Sequence, residues 1–382
     1  MLPPASQQTV WILGAGASRA LGGPLLSDLF SKASAEIAHE RYGAPLTCED
    51  WTPLRVATLY GLGSRTVVTA SEDMYAAHAT DFWDHAEEFL ECIDRAHDKP
   101  EGVEAFKIRT IADHLLERPN TKDGFKALRT AALRLLAAEC TLFMDGTDRE
   151  DERWLPYVRW ARRLSNSDTI LSFNYDLVLE ALVDDPGRNA RIEVVIPGKE
   201  REISEFALAL KLHGSLDWRI AGGQIEKADA AFALSASPDE MALATPGPTK
   251  TAFVKKHLRQ HWDAAMEAVK TAQRIVFCGY QFPPTDAYTR GRILRAISEN
   301  VDCESVDIVL GRAGDGARVA SLVKPLIRQV VVDEPGPPVE PRNLGAEEFF
   351  DQEFLARKPP APLNAEVLTS GSPEDYPVIE VE

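Results

Sequence analysis

Apolar runs and helical stripes alternate along this chain and divide it into parts. Thr9–Leu13 (TVWIL) is short and almost wholly apolar, and it runs straight into Gly14-Ala15-Gly16-Ala17-Ser18. A run without polar alternation predicts a strand covered on both faces, as in a parallel sheet. Ser18 onward predicts a helix to about Phe30, broken at Gly22-Gly23-Pro24, where glycine and proline interrupt helical hydrogen bonding. From residue 31 to 164 the β-branched runs disappear. Phe82, Phe89 and Ile93 recur at helical spacing, as do Leu128, Ala132, Leu135 and Leu136. The pattern predicts helices over 82–96, 103–116, 125–143 and 154–164.

Strand patterns return over 168–173, 191–196, 208–212, 274–278, 306–310 and 329–332. Helical patterns over 177–183, 253–272, 286–297 and 317–327 fall between them. This alternation predicts an α/β fold: a Rossmann-like, mostly parallel sheet with an inserted helical module. The sheet domain is expected from residues 1–30 and 165–333, and the module from 31–164. Residues 334–382 are Pro-rich and acidic, a composition expected to be partly disordered, with one short docked helix around 346–355.

The chain has 382 residues, 59 of them acidic and 42 basic, for a formal charge of -17. That balance repels phosphate backbones, so direct nucleic-acid binding is not expected. Cys48, Cys92, Cys140, Cys278 and Cys303 stand far apart without a C-x-x-C pair, which argues against a cysteine zinc site and a disulfide framework. A reducing cytoplasm fits. Met1 to Gln8 does not read as a secretory signal, and the longest apolar stretches fall short of a membrane span.

Polar residues gather where the predicted strands end. Glycines at Gly14 and Gly16 allow a backbone to approach a pyrophosphate, although Arg19 stands where a third glycine would be and no clear acid follows at the usual distance. Asn174, in Ser172-Phe173-Asn174-Tyr175-Asp176, offers a donor and an acceptor at a strand end. Asp176 fits a catalytic role or a helix N-cap. His213, in Lys211-Leu212-His213-Gly214-Ser215, closes an apolar run, whereas His39, His78, His85 and His97 lie in polar helical surroundings. A neutral imidazole there can serve as a base or be a core histidine bonded to backbone. The segment Cys278-Gly279-Tyr280-Gln281-Phe282-Pro283-Pro284-Thr285-Asp286 fits a second backbone cradle, or a stiff loop capped by Thr285 or Asp286. Gly311 lies at one more strand end, and Arg312 beside it reads equally as a surface charge.

Taken in order, GAGAS, SFNYD, KLHGS and CGYQFPPTD resemble the SIR2-like NAD-consuming domains of bacterial anti-phage systems, over about residues 9–332. The resemblance implies NAD held between a Rossmann-type sheet and a smaller helical domain. It implies a catalytic set of His213, Asn174 and Asp176. It implies cofactor contacts from Gly14, Ala15, Gly16, Ser18, Gly214, Ser215, Gly279, Tyr280, Asp286 and Gly311. The zinc-binding cysteine pairs of the deacylase branch are missing, and its substrate groove has no recognisable counterpart. Both departures favour NAD hydrolysis without a metal. Deacylation, ADP-ribosyl transfer and a non-catalytic nucleotide-sensing or scaffold role are the alternatives. The resemblance also implies restraint by a homo-oligomer or by a HerA-like ATPase or short Argonaute partner.

Overall fold

A computed structural model of the chain describes residues 7–64, 82–112, 119, 121–145, 151–199, 204–245, 247, 249–283, 286–312, 314–326 and 338–357. β1 (Thr9–Leu13) is followed by a 3-10 helix, Ala15–Leu21, then by α1 (Lys32–Tyr42), α2 (Pro53–Gly63), α3 (Ala86–Asp98), α4 (Val103–Ala112) and α5 (Lys122–Leu142). α6 (Leu155–Ala161), β2 (Asp168–Ser172), α7 (Val178–Val183), β3 (Ile192–Val194) and β4 (Ala207–Lys211) come next. β5 (Gly214–Ala221), β6 (Gln224–Lys227) and β7 (Met241–Leu243) make a separate antiparallel sheet. α8 (Lys250–Phe253) runs through a π-turn, Val254–Leu258, into α9 (Arg259–Thr271). β8 (Arg274–Cys278), α10 (Ala287–Glu299), β9 (Ser305–Val309), α11 (Gly316–Val323), β10 (Val339–Arg342) and α12 (Ala346–Ala356) complete the order.

The main sheet has seven strands in the order β10-β9-β8-β1-β2-β4-β3, and every neighbouring pair is parallel. The Rossmann-like α/β expectation therefore holds. Side chains alternate between two covered faces. Val10, Ile12, Leu171, Ile275 and Phe277 pack with Trp262, Ile293 and Val319 of α9, α10 and α11. Trp11, Leu13, Ile170, Val276 and Cys278 pack on the other side with Trp160, Leu179 and Phe350 of α6, α7 and α12. Trp160 stacks on Phe350 at 4.5 Å, which seats α12 over β1. Burial on both faces is why these strands read as unbroken apolar runs.

The helices α1 to α5 share a third core, which also takes Leu216, Met241 and Leu243 from the small sheet. α1 and α2 escaped the sequence pattern for local reasons. α1 buries only Ala35 and Ala38, too small a stripe to stand out. α2 carries Gly61 and Gly63, poor helix formers, and Gly63 is required because a Cβ there would lie 2.2 Å from the Trp83 ring. The β5–β6 hairpin was also unread, although Gly222-Gly223 with positive φ between Ala221 and Gln224 is a hairpin signal. The break expected at Gly22 is present, with Gly22 at φ 100, but the helix before it is 3-10, and in place of a helix to Phe30 residues 26–30 form turns. The short helix expected near 346–355 is α12. The strand expected over 329–332, most of the tail, His78, Pro284 and Thr285 lie outside the described residues.

Candidate functional site

Register places the candidate residues on one edge. Leu13 pairs with Ser172 and with Cys278, Ser172 with Lys211, and Cys278 with Val309. The chain therefore leaves β1, β2, β4, β8 and β9 at one level, delivering Gly14, Phe173, Leu212, Gly279 and Leu310. Strand order turns over at β1, between β2 on one side and β8 on the other. In open α/β sheets this switch point is where ligands bind.

At the switch point the two glycine loops bind each other. Gly16 N donates to Gly279 O at 3.2 Å and Gly14 N to Cys278 O at 3.0 Å. A Cβ on Gly279 (φ +69) would lie 2.2 Å from Ala17 N, and one on Gly16 would lie 2.7 Å from Gly279 Cα. The glycines thus serve a close backbone crossing, and the amides of Gly14 and Gly16 are already spent on protein acceptors. Ala15, Gly16 and Gly279 remain half-buried at the edge.

Asn174 joins the β1 and β2 loops. Its Nδ2 donates to Gly14 O at 3.0 Å and to Ser18 Oγ at 3.1 Å. Ser18 Oγ in turn donates to Asp176 Oδ2 at 2.7 Å, while Asp176 Oδ1 accepts from Val178 N at 3.2 Å. The N-cap of α7 is Leu177, so Asp176 stands one residue before the expected cap position, where it bonds the Val178 amide and anchors Ser18. Ser18, Asn174 and Asp176 line a cavity of about 20 Å³ with Tyr157, Trp160 and Phe350, room for about one water.

His213 sits across from them. Its ring meets Phe173 edge-on at 5.0 Å and lies 6.3 Å from Tyr175, the two residues that flank Asn174. His213 Nε2 lies 3.2 Å from Asp286 Oδ2, and Lys250 Nζ lies 2.8 Å from Asp286 Oδ1. Lys250 and Asp286 attract as opposite charges, and the same carboxylate faces the His213 ring. Thr289 Oγ1 is 3.4 Å from His213 Nε2. Burial lowers the His213 pKa and Lys250 lowers it further, against the opposing pull of Asp286, so the imidazole is neutral at neutral pH. Burial opposes ionisation of Asp286, but His213 and Lys250 outweigh it and hold the carboxyl well below the usual range. With His213 neutral, Lys250 is the charge that keeps Asp286 ionised. An Asp opposite one ring nitrogen fixes the tautomer and leaves the other nitrogen as an acceptor.

Several expected contacts have other surroundings. Asp286 occupies the N-cap of α10, but its side chain makes no cap bond and faces His213 instead. Ser215 is fully buried and donates to Asp217 Oδ1 at 2.6 Å. Gly214 (φ +86) lets β5 pass β7, since a Cβ would lie 1.8 Å from Ala242 O. Tyr280 is buried against Phe173, ring on ring at 4.5 Å, and its hydroxyl has no hydrogen-bond partner among the described residues. Gly311 (φ +73) donates to Leu344 O at 3.0 Å near the same edge, while Arg312 is exposed and 4.0 Å from Glu348. His85 caps α3, its Nδ1 accepting from Glu88 N at 3.4 Å.

Lys211 went unassigned from sequence and proves central. It is 1% exposed, and its Nζ donates to Glu180 Oε1 at 3.0 Å, Ser215 Oγ at 2.7 Å and Asp176 O at 2.5 Å. One ammonium thus pins the Asn174 loop to the end of β4, two residues before His213. Burial raises the Glu180 pKa, and Lys211 partly offsets the rise.

No protein-family model matches the chain, and no curated protein is similar to it. Among the described residues no cluster of His, Cys, Asp and Glu could hold a metal ion, and no helix is long and apolar enough to cross a membrane.

Proposed function

We propose that the chain is an NAD glycohydrolase that cleaves the nicotinamide–ribose bond and releases nicotinamide and ADP-ribose. The observation that carries this reading is a buried, neutral His213 beside Asp286, packed against the two residues flanking Asn174 at the ligand-binding edge of a parallel sheet. Nicotinamide leaves with the bonding electrons, and the ribose passes through an oxocarbenium-like state. A water adds at the anomeric carbon and gives its proton to His213 Nδ1. Asn174 is already bonded to Gly14 and Ser18, which orients its amide oxygen for a ribose hydroxyl or that water. Holding the two reactants in place and keeping bulk water out supply most of the acceleration.

The same reading includes restraint of turnover by a homo-oligomer or by a HerA-like ATPase or short Argonaute partner, as anti-phage NAD depletion requires. The test is incubation of the purified chain with NAD, with and without such partners, reading nicotinamide and ADP-ribose by chromatography. Equal release of both is expected, and His213→Ala and Asn174→Ala should each lower it by about 10²-fold or more. Full cleavage by both folded variants would overturn the assignment. Bound NAD without release under any condition would leave a nucleotide sensor, and transfer of ADP-ribose to an acceptor would make the chain a transferase.

A further inference from the structure

The proposed reaction uses His213 and leaves Lys250 without a task. Lys250 is 8% exposed on α8, and burying a lysine is unfavourable unless its charge is matched. Its match is Asp286 Oδ1 at 2.8 Å, the carboxylate whose other oxygen faces His213. The residue before it, Thr249, is the N-cap of α8, yet its hydroxyl makes no cap bond. It donates instead to Asp94 Oδ2 of α3 at 3.0 Å. Asp94 is 4% exposed and takes Arg129 Nε of α5 at 2.9 Å on its other oxygen. Gly247 (φ +129) passes so close that a Cβ would lie 2.9 Å from Asp94 Oδ2. The helical layer therefore grips the short segment that carries Lys250.

We infer that Lys250 is a positioning residue for His213, acting through Asp286, and that the Asp94–Thr249 contact ties it to the helical layer. Among the described residues the charged groups that act on His213 are Lys250, Asp286 and Glu87 of α3. Tyr175 and Tyr280, from the β2 and β8 loops, stand within reach of the Asp286 and Glu87 charges. Two of the three charges at His213 are negative. Among the described residues Lys250 is the cation paired with Asp286, and its removal shifts the balance at Asp286 toward a protonated His213. Movement of α3 away from the 247–250 segment would act in the same sense, which couples the proton on His213 to the packing of the helical layer. The effect on turnover rests on the NAD-cleavage reading; the proton balance of His213 does not.

The experiment is a histidine-detected NMR titration of the full chain, with the His213 signal assigned by its loss in His213→Gln. In Lys250→Met the His213 midpoint should move up in pH, and in Lys250→Arg it should stay near that of the parent. An unchanged midpoint in folded Lys250→Met would overturn the role of Lys250. Asp94→Asn keeps shape and guards against failure of the first variant to fold. Loss of the negative charge at Asp94 by itself lowers a nearby imidazole pKa, whereas release of Lys250 raises it. An upward shift in Asp94→Asn therefore supports the tie, and a downward or absent shift refutes it. Should NAD cleavage be measurable, the acid limb of its pH–rate profile should follow the same shifts. Absence of cleavage alongside shifted midpoints would sink the NAD reading alone.

Discussion

Glu139 allows a test of the helical layer that needs no substrate. It lies on α5, 5% exposed, and both its oxygens accept from Phe30 N, at 3.0 and 2.9 Å. Ser34 Oγ also donates to it, and Phe30 is held at φ 58. Burial pushes its carboxyl up to about 7 from 4.5, because the Phe30 amide and the Ser34 hydroxyl only partly offset desolvation. The folded state then holds the proton more tightly than the unfolded state. The stability it contributes is complete below about pH 4.5 and is lost as pH rises through about 7. At about 1.4 kcal/mol per pH unit the loss approaches 3 kcal/mol. Glu139→Gln keeps an acceptor for the Phe30 amide and cannot titrate. Burial lowers the pKa values of His97, His213, His257 and His261, so these groups raise stability with increasing pH. They do so in both proteins and cancel in the difference. Urea unfolding of the two proteins from about pH 4.5 to about pH 8 should show the Gln variant gaining about 3 kcal/mol on the parent. A difference that stays flat over that range would refute the reasoning.

Two further perturbations probe the site's scaffold. Gly279→Ala should lose about 2 kcal/mol or more, from left-handed backbone strain and from a Cβ forced against Ala17 N, seen as a lower denaturant midpoint with an unchanged slope. Lys211→Met should lose about 3 kcal/mol near neutral pH by stranding Glu180, and the loss should shrink as pH falls and Glu180 takes up a proton. Unfolding curves at two pH values check the second, and a pH-independent loss would count against it.

Local pattern carried much of this protein. Strands covered on both faces, such as Thr9–Leu13 and Arg274–Cys278, are apolar after their first residue, so composition marks them. Parallel pairing then forces their carboxyl ends to one edge, which is why Gly14, Asn174, His213 and Gly279 could be picked out before any contact was known. Elements whose stability comes from neighbours were not legible. α1 buries two alanines, and β5 is a strand because β6 and β7 pair with it.

The sequence by itself determined the class of fold, the alternation of strands and helices in the main sheet, and which polar residues stand at strand ends. Those features follow from hydrophobic periodicity and short-range turn chemistry. Only the tertiary structure decided what each residue faces. It turned Asp286 from a helix cap into the partner of His213, brought Lys250 from a distant segment to balance it, and closed the Gly14 and Gly279 loops on each other. The physical reason is that a buried charge chooses its partner by proximity in the folded chain, and proximity between segments far apart in sequence is set by packing.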